Sequence, residues 1–134
     1  MALASFFLNL TGLLKDLDAK NFNLLNVKTA TYKGEFDNGN SGAAATISFL
    51  AAQKQKITLT ANCTFTFTAP NGPANFVLRL IQDGTGSRTV TWPAAVKWVG
   101  SAAPVLTTTA AAVDIVTIYY DGTNFNASYG LNFG

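Results

Sequence analysis

The sequence contains no histidine and only one cysteine, Cys63, among its 134 residues. It therefore cannot form a Ser-His-Asp triad, a Cys-His dyad, a His/Cys zinc site or an internal disulfide. Charge is also scarce, since charged residues make up 12% of the chain and the net charge is +2. A small net charge with scattered basic residues indicates neither nucleic acid nor a membrane as the partner. These absences predict a protein that is not an enzyme and that needs no cofactor or metal.

The apolar stretch over residues 2–14 lacks the features of a targeting segment. It is too short to span a bilayer, and it has neither the basic start nor the cleavage site of a signal peptide. Its large apolar residues recur at the spacing of one helix face: Leu3, Phe6, Phe7, Leu10, Leu13 and Leu14. Such a helix is marginal alone and needs a surface on which to bury that face, either its own domain, a sister subunit or another protein. We predict that residues 1–26 form an N-terminal apolar arm or short helix and residues 27–134 a β domain.

From Val27 onward the apolar period changes to two, most clearly over residues 57–68. Small or apolar residues take the odd positions there, and threonine or asparagine takes the even ones. An odd-numbered loop that pairs Leu59 with Phe65 would keep this order, and so would one long strand that bends. Cys63 has the inward parity in both cases, so we expect it to be a small buried hydrophobe.

Further strand candidates are separated by turn-forming residues. The strands are expected near residues 46–50, 76–82, 88–92, 113–120 and 125–133, and the turns near 37–39, 70–73, 83–86 and 121–123. We interpret the turn at 83–86 as a tight hairpin. The segments 76–82 and 113–120 are apolar on both parities, which is typical of strands covered on both sides by a second sheet or another subunit. The pattern predicts a single antiparallel β-sandwich or jelly-roll-like domain.

The polar and aromatic residues offer few candidates for chemistry. Asp37, Asp83 and Asp121 lie in turn sequences in which the side chain caps local backbone, and no spacing brings Glu35 and Asp114 together as a glycosidase pair. The aromatic residues that could form a carbohydrate platform are Trp92, Trp98, Tyr119, Tyr120, Phe125 and Tyr129. We single out Trp92 and Trp98 as candidate exposed recognition residues. In the alternative, one tryptophan anchors the core and the other closes a sheet edge.

Threonine and asparagine replace most of the usual surface charge, with 17 and 12 copies respectively. Such a surface can pack against other subunits without desolvating charges. Together with the strands that are apolar on both faces, it predicts an obligate oligomer, most simply a cyclic trimer or dimer.

Several segments resemble a module of tailed-phage virion proteins. They are residues 55–67, the Gly86–Pro93 phrase GSRTVTWP, Val96–Trp98, Val113–Ile115 and the Tyr119–Asn124 phrase YYDGTN. The module occurs in small capsid decoration (cement) proteins and at the C-terminal ends of tail fibres, and the similarity covers residues 36–134. The resemblance implies a homotrimeric β module on the virion, without enzymatic activity.

The resemblance leaves two main roles open. Little chain precedes residue 36, which favours a cement protein on the outer surface of the head over a fibre with its own shaft. In that hypothesis the oligomer bridges subunits of the major capsid protein, and the apolar arm contacts the shell or a sister subunit. The alternative is a tail-fibre tip that recognises a host-surface glycan or receptor. A free carbohydrate-binding module is the third possibility.

Overall fold

The computed structural model describes residues 25–134, and Tyr32–Gly134 form a compact all-β unit. Its strands are β1 (Phe36–Asn40), β2 (Ala44–Ser48), β3 (Lys54–Leu59), β4 (Cys63–Thr68), β5 (Ala74–Gln82), β6 (Val90–Thr91), β7 (Val96–Trp98), β8 (Val113–Tyr120) and β9 (Phe125–Gly130). A single 3-10 turn, Val99–Ser101, follows β7. The described residues include no helix that is long and apolar enough to cross a membrane. The predicted arm contacts Leu3, Phe6, Phe7, Leu10, Leu13 and Leu14 lie outside the described residues.

The strands form two sheets. A six-stranded mixed sheet has the order β1-β3-β5-β8-β9-β7, and a three-stranded parallel sheet has the order β2-β4-β6. The first six strands alternate between the two sheets, so neighbouring strands within a sheet are separated in the sequence by one strand of the other sheet. Strands β1, β3 and β5 are parallel for this reason, and so are β2, β4 and β6. Antiparallel pairing is found only where β8 joins β5 and β9.

The sequence prediction of an antiparallel β-sandwich or jelly-roll-like domain is correct about the all-β class and the presence of two sheets, and wrong about the antiparallel pairing. A period of two shows that a strand has a buried face, but parallel and antiparallel strands produce the same alternation. The direction of pairing depends on which sheet each successive strand enters. The segment at 83–86 is accordingly not a hairpin turn, because it leads from β5 in the mixed sheet to β6 in the parallel sheet.

The unbroken alternation over residues 57–68 has a geometric explanation. Strands β3 and β4 lie in different sheets and are joined by a three-residue corner, 60–62. Leu59 therefore does not pair with Phe65, and the alternative of one segment that bends is closer to the structure. The chain turns around the core at this corner, so the odd-numbered side chains stay inward in both strands.

The core lies between the two sheets and is aliphatic and aromatic. Ile47 and Phe65 enter it from the parallel sheet, and Ile57, Leu78 and Val116 enter it from the mixed sheet. Each such side chain stabilises the fold by about 1.5–3 kcal/mol when fully buried. Cys63 is 2% exposed, which confirms it as a buried residue; burial raises the pKa of its thiol.

Three buried polar side chains also form hydrogen bonds with the backbone of the sheets and their connections. Gln55 donates to the carbonyls of Ser48 and Ala52 at 2.9 and 2.8 Å. Gln82 likewise bonds both backbone groups of Arg88, and Asp114 anchors two segments that flank β8 and β9. These buried polar groups are satisfied locally, so the inward face of the sheets is fully used by the fold. The two outward faces remain as surfaces for function.

Candidate functional site

The outward face of the mixed sheet carries eight side chains in two adjacent cross-strand rows. The first row runs through β3, β5, β8 and β9 as Lys54, Val77, Thr117 and Ser128. The second row runs through β5, β8, β9 and β7 as Asn75, Tyr119, Asn126 and Lys97. We call these eight residues the outer grid. Their sequence neighbours, such as Phe76, Ile118 and Ala127, are buried between the sheets, which fixes the outward direction of the grid.

Two shallow depressions follow the outer grid. One, of about 270 Å³, is lined by residues that include Lys54, Asn75, Thr117 and Tyr119. The other, of about 350 Å³, is lined by residues that include Lys97 and Trp98. Asn126 and Ser128 line both depressions, so the two adjoin across β9. An elongated ligand could therefore lie across the strands rather than along them.

The polar groups at the centre of the grid are held in fixed positions. The hydroxyl oxygens of Thr117 and Ser128 lie 2.7 Å apart and share a hydrogen bond. The amide nitrogen of Asn126 donates to Oδ2 of Asp121 at 2.9 Å. Because a carboxylate can only accept, the nitrogen of that amide faces Asp121 and the oxygen Oδ1 is left as an acceptor for a ligand.

Asp121 is itself held in place by the turn between β8 and β9. Its Oδ1 accepts the backbone N–H groups of Thr123 at 2.8 Å and Asn124 at 2.7 Å. The backbone donor of Asn124, the Asn126 side chain and the Thr123 backbone lower the pKa of Asp121 to about 2. The carboxylate is therefore ionised in any neutral or mildly acidic medium, and it positions Asn126 throughout that range.

The prediction that aspartates cap local backbone is confirmed at three positions, although residues 37–39 lie within strand β1 and not in the predicted turn. Besides Asp121, Asp37 accepts the N–H of Gly39 at 2.8 Å. Asp83 accepts the N–H groups of Thr85 and Gly86 at 3.0 and 2.9 Å. None of the three is a spare carboxylate available for catalysis. The described residues also contain no group of three or more Cys, His, Asp or Glu side chains placed to hold a metal.

Among the described residues, no carboxylate forms an ion pair with either lysine of the grid. Within the compact unit, three cations form ion pairs, which are Lys56–Asp37, Arg79–Glu35 and Arg88–Asp83. Lys54 and Lys97 form no ion pair with any described residue, and the ammonium of Lys54 lies 5.5 Å from the ring centroid of Tyr32. The outer grid therefore has a positive charge at each end, and the ionised Asp121 adjoins Asn126 near its centre.

The two tryptophans singled out from the sequence are half-buried and packed against the core. Their rings form an edge-to-face pair with centroids 4.9 Å apart, and Trp92 makes a second such contact with Phe65 at 5.4 Å. Trp98 lies on the edge strand β7 and lines the second depression, so it adjoins the outer grid. Trp92 is placed on the core side of this pair. Their assignment as exposed recognition residues stays a prediction.

Among the other predicted aromatic residues, Tyr119 points outward and is 49% exposed, whereas Tyr120 and Phe125 are buried. Tyr129 has the inward parity of Phe125 but is 38% exposed, so the alternation predicted over 125–133 fails toward the end of β9. Sequence reasoning missed Lys54, Lys97, Asn75, Asn126 and the hydroxyl pair as partners of Tyr119. The alternation within 125–133 indicated that Asn126 and Ser128 face outward, whereas 113–120 is apolar on both parities and gave no such signal. The order in which the strands pair was needed to place the residues in rows.

The outward face of the parallel sheet differs sharply from the outer grid. It presents Thr46, Ser48, Thr64, Thr66, Thr68 and Thr91, with Thr46 opposite Thr66, Ser48 opposite Thr68 and Thr64 opposite Thr91. We call these six residues the hydroxyl face. It carries no charged or aromatic side chain among its strand residues.

A family model described as "Putative phage tail fibre C-terminal domain" matches residues 41–125. No curated protein and no solved structure matches the chain. The matched range contains β2 to β8 and six of the eight residues of the outer grid. The match favours the tail-fibre alternative over the capsid-decoration role that the sequence analysis places first. The chain is thus a phage virion component, and it belongs to the family of phage tail fibre C-terminal domains.

Proposed function

We propose that the chain is a receptor-binding domain of a phage tail fibre and recognises the host surface through the outer grid, without catalysing a reaction. The observation that carries this proposal is the position of Tyr119. Its exposed ring lies among two amides, two hydroxyls and two lysines on a face whose residues fall mostly within the family match. An aromatic ring surrounded by a few fixed polar groups is the usual composition of a specific recognition site.

The chemistry of the grid suits a hydroxyl-rich ligand. Tyr119 offers an apolar ring face, and the oxygen of Asn126, the amide of Asn75 and the Thr117–Ser128 pair offer hydrogen bonds. Each hydrogen bond at an open site contributes only about 0.5–1.5 kcal/mol. Adhesion through such contacts gains strength when several copies bind the same surface.

We also propose that the domain works as a homotrimer. Low surface charge supports this, and so do large apolar side chains that stay exposed in the single chain, among them Val99, Val105 and Phe133. Native mass spectrometry should show a stable complex of three chains. A stable monomer at micromolar concentration would contradict the trimer without affecting the location of the binding face.

The proposed function is tested with the fluorescently labelled full chain on cells of a susceptible host and of an adsorption-resistant derivative. We expect saturable binding to the susceptible cells only, and the unlabelled chain should reduce phage adsorption. Immunogold electron microscopy of virions should place the label on the tail fibres. Immunogold label on the phage head, or a failure of the chain to bind susceptible cells, would contradict the proposal.

A further inference from the structure

The distribution of charge in the compact unit singles out the outer grid. Residues 32–134 contain six lysines and arginines, and three of them are in ion pairs with carboxylates. The other three are Lys33, Lys54 and Lys97, so two of the three unpaired cations are members of the grid. Of the two remaining carboxylates, Asp114 is buried, and Asp121 is ionised and lies beside the middle of the grid, where it accepts three hydrogen bonds. Among the described residues, no acidic side chain forms an ion pair with either lysine at the ends of the grid.

The two lysines lie at opposite ends of the grid. Four interstrand steps separate β3 from β7 in the mixed sheet, which corresponds to roughly 19 Å at about 4.8 Å per step. Neutral groups from β5, β8 and β9 fill the space between them. A ligand that contacts both ammonium groups must therefore be elongated and must carry at least two anionic groups.

At one end of the outer grid, a contact with the ring of Tyr32 helps to position the ammonium group of Lys54. The ring of Tyr32 lies beside the Lys54 ammonium, and the hydroxyl of Tyr32 donates to the side-chain oxygen of Gln53. A cation held over a ring keeps its charge and remains available to an anion on its open side. Asn126, held by Asp121, gives the middle of the grid a fixed acceptor for a ligand hydroxyl.

We infer that the ligand of the outer grid is an acidic oligosaccharide, several sugar rings long, whose anionic groups contact Lys54 and Lys97. A sugar ring packs on Tyr119 between these contacts, and its hydroxyl groups bond with Asn75 and Asn126. Carboxylate and phosphate groups meet the two lysines equally well by charge. The inference rests on the proposed function, since it names the class of host molecule that the same site recognises.

The test titrates the full chain with three tetrasaccharides and follows the amide NMR spectrum. The probes are tetragalacturonate, a phosphorylated tetramannose and uncharged tetragalactose. We expect one or both acidic probes to bind at least about ten-fold more tightly than the neutral one, with an affinity that falls as salt is added. Binding of tetragalacturonate alone assigns carboxylate as the anionic group, and binding of the mannose probe alone assigns phosphate.

Charge-removing variants locate the contacts. Lys54→Gln and Lys97→Gln should each weaken acidic-probe binding by about five-fold. The double variant should lose about 25-fold, because sites this far apart act additively. Lys33→Gln is the matched control, since it removes an unpaired lysine outside the grid, and it should bind as the natural chain does.

The outcomes separate this inference from the proposed function. Equal binding of acidic and neutral probes, or unchanged affinity in both grid variants, overturns the acidic ligand and leaves host recognition standing. The same holds when the chain binds susceptible cells but none of the three saccharides. Failure of the natural chain to bind susceptible cells instead overturns the proposed function.

Discussion

The outer grid and the hydroxyl face lie on the outward sides of two sheets that share one core, yet their chemistry differs. Threonine meets both requirements of an outward strand position, because its β-branched side chain favours the strand conformation and its hydroxyl group is polar. The hydroxyl face is built almost entirely in this way. The outer grid replaces that pattern with an aromatic ring, two amides and two lysines. Since solubility and strand formation do not require these residues, the difference supports our proposal that the mixed sheet carries the recognition surface.

The pairing of the strands strengthens this contrast. The grid lies mainly on β5, β8 and β9, which pair antiparallel, and directly opposite side chains in such pairs are close enough to act together. Tyr119 lies opposite both Asn75 and Asn126. The hydroxyl face consists of parallel strands that repeat one residue type. Four changes to the chain or to the conditions test whether the two faces differ in function.

The largest effect is expected at Gly86, in the connection from the mixed sheet to the parallel sheet. Its φ is +74°, and a Cβ there would lie 2.4 Å from the carbonyl oxygen of Thr108. Gly86→Ala should lower the free energy of unfolding by roughly 3 kcal/mol, because a left-handed conformation and a backbone clash combine. Urea unfolding checks this value. If the two sheets form one cooperative unit, probes on both should report a single transition.

Gly84→Ala is the matched control in the same connection. Its backbone is not left-handed and nothing lies within 4 Å of the added methyl group. Its free energy of unfolding should stay within about 0.5 kcal/mol of the natural chain. Equal stability of the two variants would contradict the close packing of this crossover.

The second change removes the aromatic ring of the grid. Tyr119→Ala should weaken binding to susceptible cells about 30-fold, corresponding to the roughly 2 kcal/mol typical of a central aromatic contact. Thr66→Ala, in the middle of the hydroxyl face, should change the affinity less than about two-fold. Cell-binding titrations measure both. A larger loss for Thr66→Ala than for Tyr119→Ala would reverse our assignment of the faces.

The third change concerns Asp121 and acid. Its folded pKa of about 2 lies below the ordinary value of 3.8, so its stabilising effect is fully present above about pH 4 and is lost as the pH falls toward 2. Because the folded protein keeps Asp121 ionised until the pH approaches 2, host binding should be constant from about pH 8 to about pH 4 and should decline only as the pH falls toward 2. Binding measured across this range by light scattering or surface plasmon resonance checks the profile.

A substitution separates Asp121 from the other acidic groups. In Asp121→Asn, one amide oxygen can still cap Thr123 and Asn124, but the amide nitrogen cannot accept from Asn126. We expect a loss of about three-fold in affinity at neutral pH with little loss of stability. An affinity equal to that of the natural chain would show that Asn126 needs no positioning by Asp121.

The smallest effect is expected for the double variant Thr64→Val and Thr66→Val. Valine keeps the β-branched shape and removes two exposed hydroxyls, so the free energy of unfolding should change by less than about 0.5 kcal/mol. Cell binding should also be unchanged. A loss of binding with intact stability would show that the hydroxyl face contacts the host.

The sequence was sufficient to predict most of the strands, many of their inward residues and the capping aspartates, because these depend on local alternation and turn chemistry. Cys63, Phe65 and Asp121 are examples. It did not predict β1, where a turn was expected, or the short edge strand β7. Parallel pairing could not be predicted, since it depends on β3 and β4 entering different sheets at the 60–62 corner. The outer grid could not be predicted for the same reason, because its residues come together only through the order of the strands in the sheet. Lys54 and Lys97 are 43 positions apart in the sequence and join one face only through the strand order.

The most direct test of the central claim is to map the contact surface by backbone amide NMR of the full chain. The titrant is surface polysaccharide purified from a susceptible host. We predict that the changed signals centre on Asn75, Lys97, Tyr119 and Asn126, with the parallel sheet unaffected. Changes centred on Thr46, Thr64 and Thr66 would contradict the account, because recognition would then belong to the hydroxyl face.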